Sequence, residues 1–140
     1  MPAFFENMKL DKLISMVQIA DIELKERPSL DQWASWEEAN NLILPSDFKE
    51  ILSYYGTGEF GDFLYLWNPF SDHPDYDMAI RVTETIHNIQ EVDSWIWRDR
   101  TYGRSLFPEP GGILPFASTN HDCTLFWKMD GNPDSWKIII

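Results

Sequence analysis

The spacing of apolar residues changes at Gly58, and that change constrains the fold more than any other feature of the chain. Ahead of it, Leu10, Leu13, Val17, Ala20 and Leu24 recur at helical spacing and predict a helix over 8–25. Pro28 ends or separates it. Ser29 with Gln32 three positions later is a capping-box pattern, which predicts a second helix over 30–41. Pro45 suits the first turn of a third helix, because its missing N–H is not needed there. Phe48, Ile51, Leu52 and Tyr55 give that helix one apolar face, and Gly56 is placed to cap its C-terminus.

Behind Gly58 the run from Phe60 to Trp67 is aromatic-rich and apolar on both faces, which predicts a central strand. Asn68-Pro69 breaks it, and residues 71–77 form a polar loop with three acids and no base. A long helix over 78–98 follows, with Ala79, Val82, Ile86, Ile89, Val92 and Ile96 as its inward stripe. The last forty residues read as strands over 113–117, 123–129 and 136–140, separated by turns at Thr119–Asp122 and Asp130–Pro133. Helices first, a strand and helix between, and antiparallel hairpins last predict an α+β fold. The expected architecture is a single domain over 1–140. Its mixed, mostly antiparallel sheet is flanked by N-terminal helices and one long middle helix.

Charge narrows the partners. The chain carries 11 Lys+Arg against 23 Asp+Glu, a net charge of −12. Residues 1–70 contribute 5 bases and 12 acids and residues 71–140 contribute 6 and 11, so the acidity belongs to the whole body rather than to a tail. Such a chain repels phosphate backbones, so nucleic acid is not an expected partner, and it attracts basic proteins instead. No window approaches the ~18 apolar residues of a membrane span. Neither a secretion signal nor N-myristoylation is expected, since acids stand at Glu6 and Asp11 and residue 2 is proline. One cysteine, Cys123, allows no internal disulfide. A cytoplasmic location is the expectation.

A collinear set of landmarks then stands out. Leu44-Pro45-Ser46-Asp47-Phe48-Lys49-Glu50-Ile51-Leu52 leads into Tyr55-Gly56-Thr57-Gly58-Glu59-Phe60, followed by Asp62-Phe63-Leu64 and Asn68-Pro69-Phe70. Later come Leu106-Phe107-Pro108, Gly112-Ile113-Leu114-Pro115-Phe116-Ala117, Asp122, Leu125-Phe126-Trp127 and Pro133-Asp134-Ser135-Trp136. This order and spacing closely resembles the SUKH superfamily (SMI/KNR-type domains), which includes fungal cell-wall regulators and many bacterial immunity proteins. The landmarks run from about residue 42 to 139, with the N-terminal helices over 8–41 ahead of them. The resemblance implies an α+β protein-binding module, and in bacteria an antitoxin that silences a cognate toxin, often a nuclease. Toxin-contact residues vary within the superfamily, so none carries over by position. Members usually continue past the Trp-x-Ile strand. Here that strand ends the sequence and reads as an open edge, through which a homodimer would form.

The motif residues build a fold rather than a catalytic centre. Asp72, His73, Asp75 and Asp77 lack the glycine and distal glutamate of an EF-hand loop, and Asp75 or Asp77 instead fits the N-cap of the following helix. His121-Asp122-Cys123 lies at a predicted turn, and Cys123 reads as a small strand residue. Glu84 and His87 are neighbours on a helix but too few for zinc. Glu59 and Asp62 are set aside as an acid/base pair because nothing supplies a nucleophile or cofactor. No phosphate loop, dinucleotide fingerprint or nucleophile elbow is present. The expectation is a non-enzyme with no catalytic, cofactor or metal residue.

The seven tryptophans are the stronger signal. Trp95 and Trp97 lie ~200° apart on a helix, so one of them faces outward. Exposed indoles beside acids suit an interface, because tryptophan anchors are enriched there. The expected partner-binding residues are Asp72, Asp75 and Asp77, with Trp95, Trp97 and Asp99 beside them, then Asp122, Asp130 and Asp134. The first function expected is an immunity protein meeting a basic toxin. The alternative is an interaction scaffold or regulator without a toxin.

Overall fold

The structure, a computed structural model, describes residues 11, 12, 15, 26–61, 63–91 and 104–140. The helix expected over 8–25 falls almost wholly outside them. The chain divides into two compact units, Met1–Thr57 and Gly58–Ile140.

The first unit holds helices α1 (Leu30–Asn40) and α2 (Ser46–Tyr55). The capping box forms as the sequence predicts. Ser29 Oγ accepts from the Gln32 backbone N–H at 3.2 Å, and the Ser29 N–H donates to Gln32 Oε1 at 2.8 Å. Asn41 closes α1 in the left-handed conformation, with φ 49°. Pro45 sits at the N-cap of α2, one residue ahead of the first turn, where an N–H is equally dispensable. The Gly56 N–H closes α2 on the Leu52 carbonyl at 2.8 Å, and its φ of 72° is the conformation that favours glycine.

Trp33 joins the two helices. Its indole is buried, its Nε1 donates to Ser53 Oγ at 3.0 Å, and its ring lies edge-on to Phe48. Leu44, Leu52 and Tyr55 are buried as well. Burial raises the Tyr55 phenol's pKa above its ordinary value, and the neighbouring Tyr54 adds to the shift.

The second unit is a five-stranded antiparallel sheet in the order β1-β2-β3-β4-β5, with helix α3 (Met78–Glu91) between its second and third strands in sequence. The strands are β1 (Glu59–Phe60), β2 (Leu64–Leu66), β3 (Ile113–Thr119), β4 (Thr124–Lys128) and β5 (Lys137–Ile139). Among the described residues every ladder is antiparallel, and parallel pairing occurs at the isolated bridges Asn68–Asp77 and Leu106–Ile113.

The aromatic run from Phe60 to Trp67 is not one strand. It folds back as the β1–β2 hairpin, with Gly61 at φ 59° in the turn and the Phe63 N–H on the Phe60 carbonyl at 3.1 Å. A Gly-Asp turn inside an aromatic segment is a hairpin signal that outweighs apolar continuity.

β3 is the buried centre of the sheet, with Ile113 through Ala117 all buried. Its ladder to β4 shifts register between Pro115 and Ala117, a bulge that accommodates a proline unable to donate. The Phe116 and Trp127 rings stack at 4.0 Å and 5° beside it. α3 packs against β3 with Met78, Val82 and Ile89 buried, whereas Ala79, expected on the inward stripe, is exposed, because Met78 takes the inward position at the first turn. The part of the long helix expected beyond Glu91 lies outside the described residues.

Candidate functional site

Two short elements of the second unit bring together side chains that lie far apart in sequence. The β1–β2 ladder sets Glu59 directly opposite Tyr65, so the two side chains stand on one face of the sheet, ~5 Å apart at Cβ. Residues 68–77 then loop out and return. Buried Asn68 closes that loop: its N–H donates to the Tyr76 carbonyl at 2.7 Å, and its carbonyl accepts from Met78 N at 3.2 Å. The side-chain Oδ1 of Asn68 holds Phe70 N at 2.9 Å. So clamped, the loop lays the Tyr76 ring 6.1 Å from Tyr65 and 5.4 Å from His73. Three rings and two carboxylates, Glu59 and Asp75, share one part-exposed face.

His73 Nδ1 accepts from the Asp75 backbone N–H at 3.2 Å and lies 4.0 Å from Asp75 Oδ2. The Tyr76 phenol is held above its ordinary pKa, first by burial and then by the negative charge of Glu59 and Asp75.

The expected partner-binding residues occupy three separate places. Asp72, Asp75 and Asp77 share the loop, but Asp77 serves the fold: its Oδ1 accepts from Ile80 N at 3.2 Å and caps α3, as the N-cap reading requires. Asp72 and Asp75 are exposed. Asp122 lies in the β3–β4 turn at φ 59°, beside a Phe63–His121 ring contact of 6.2 Å. Asp130 lies past the other end of β4, ~17 Å along a five-residue strand. Its carboxylate takes Lys128 Nζ at 3.1 Å. Asp134 follows in a 3-10 turn, Pro133–Ser135. Trp95, Trp97 and Asp99 lie outside the described residues.

The sequence reading passed over Tyr65 and Tyr76, gave His73 only a metal role, and weighed Glu59 only as an acid. The signal that was available is Asp75-Tyr76-Asp77, a tyrosine set between acids in a loop flanked by prolines and a histidine.

Other clusters do not assemble reactive chemistry. Among the described residues no group of three or more His, Cys, Asp and Glu is placed to hold a metal ion. Cys123 is exposed and meets the His121 carbonyl rather than its ring. Glu84 approaches Arg81 at 3.8 Å, and the Arg81 guanidinium lies 5.2 Å from the centre of the Trp67 ring. No helix among the described residues is long and apolar enough to cross a membrane.

Neither a curated protein nor a solved structure matches the chain. The SUKH_6 family, described as SMI1-KNR4 cell-wall, matches residues 30–140. The match opens at the first residue of α1, so the capping-box helix is part of the shared body along with the landmarks from residue 42 onward. Over those residues the chain belongs to the SUKH superfamily.

Proposed function

We propose that the protein is an immunity protein, which binds a basic bacterial toxin, a nuclease domain, and covers the cleft that holds its substrate. The observation that carries this reading is SUKH membership over residues 30–140 in a chain of net charge −12. A nuclease cleft is positive because it holds phosphates. A strongly acidic partner is steered into it, and carboxylates take the place of phosphates against Arg and Lys. Exposed Asp72 and Asp75 offer such carboxylates on a clamped loop. Nothing in this mechanism calls for catalysis by the chain.

Co-expression with the protein encoded next to it tests the reading, scored by pull-down and by rescue of growth. A toxic neighbour that is captured and silenced is the expected result. A harmless neighbour, or one that is not captured, counts against it. A second reading is an interaction scaffold without a toxin, favoured by the cell-wall description of the matched family. A solitary gene and capture of a non-toxic protein would select it.

A further inference from the structure

We propose that the face built by Glu59, Tyr65, His73, Asp75 and Tyr76 receives a single arginine side chain of the protein partner. The proposal rests on the reading of this chain as a binder of basic proteins and names the place and the chemistry of one contact. Tyrosine rings carry a negative π-face, and a planar guanidinium stacks on it while its N–H groups fork onto a carboxylate. Both halves of that receptor are present: rings 5.4 and 6.1 Å apart, and the carboxylates of Glu59 and Asp75 beside Tyr76.

The missing half is the cation. Carboxylates that the fold uses have a donor of its own, as Glu37 has Lys49, Asp130 has Lys128 and Asp77 has the Ile80 backbone N–H. Glu59 and Asp75 have no lysine or arginine against them among the described residues. Arg81 is engaged by Trp67 and Glu84. His73 holds the Asp75 backbone N–H at Nδ1 and stands 4.0 Å from the Asp75 carboxylate. An anion is repelled by this face. No group of three His, Cys, Asp or Glu among the described residues is placed to hold a divalent ion. Charge complementarity therefore selects an organic cation, and the rings select the flat one.

The probe is the peptide acetyl-Gly-Arg-Gly-amide, titrated into the full-length chain labelled with 15N and followed by NMR. Its control is the same peptide with citrulline, which keeps the shape and removes the charge. The expected result is saturable shifts in the amides of residues 59, 65 and 73–77 with arginine, and none with citrulline. Tyr76→Leu weakens binding ~2–5-fold, the usual range for an exposed cation–π contact, whereas Tyr76→Phe keeps it. The pair Glu59→Gln with Asp75→Asn weakens it at least as much, and these exposed positions leave the fold intact. Equal shifts with citrulline, shifts confined to other residues, or unchanged binding in the carboxylate pair would overturn the proposal. The toxin reading fails separately: arginine binding at this face with no neighbour captured removes the toxin and keeps the receptor. A captured toxin whose affinity ignores both variants removes the receptor and keeps the toxin.

Discussion

Glu37 and Glu59 are the same side chain in opposite circumstances. Glu37 is mostly shielded, its carboxylate accepts from Leu44 N at 2.8 Å, and both its oxygens lie 3.1 Å from Lys49 Nζ. It pins the chain between α1 and α2. Glu59 is exposed on an edge strand two residues long, opposite a tyrosine and with no base against it among the described residues. A carboxylate whose cation comes from its own fold is architecture. One that meets only rings and other acids is left for a partner.

The contrast breaks most readily at Glu37. Glu37→Ala leaves the Lys49 ammonium and the Leu44 N–H without their acceptor. The expected loss is about 2 kcal/mol, below the range for fully buried pairs because the side chains retain some exposure. Urea unfolding measures it, and a loss under about 0.5 kcal/mol would mean that water replaces the carboxylate. Asp77→Ala comes next. It removes the cap of α3 and costs about 1 kcal/mol, while Asp77→Asn, which keeps an accepting oxygen, costs little.

The reverse holds for the open face. Asp72→Lys with Asp75→Lys changes stability by no more than about 0.5 kcal/mol, yet sharply weakens binding to a basic partner and flattens its salt dependence. Unchanged affinity in isothermal titration removes the loop from the interface.

The smallest effect is in alkali. Tyr76 has its folded-state pKa raised, so the folded chain binds more protons than the unfolded one above the ordinary tyrosine value of 10.0. Its contribution is complete below that pH and is lost as the pH rises through the folded value. Tyr55 shifts in the same direction, so Tyr76→Phe reduces the alkaline loss of stability without abolishing it. An unaltered pH profile of urea midpoints would mean that neither burial nor the acids Glu59 and Asp75 hold the Tyr76 phenol above its ordinary value.

What was legible in advance was local. Ser29 and Gln32 cap α1 because residues three apart on a helix meet whatever surrounds them. Gly56 ends α2 because its backbone alone tolerates the required φ. Asp77 caps α3 for the same reason of proximity in sequence. The error in the run from Phe60 to Trp67 has a physical cause as well. Apolar residues on both sides of a segment describe a buried strand and a folded hairpin equally, and only the turn at Gly61 separates them.

The sequence by itself determined the helices over 30–40, 46–55 and 78–91, the caps at Ser29 and Gly56, the acid excess and the superfamily. Each of these is written in spacing or composition. The receptor-like face needed the tertiary structure, because it depends on a strand register that sets Glu59 against Tyr65 and on a buried Asn68 that folds a loop back onto them. Hydrogen bonds between distant backbone segments decide which acids meet rings and which meet lysines, and no periodicity along the chain records that choice.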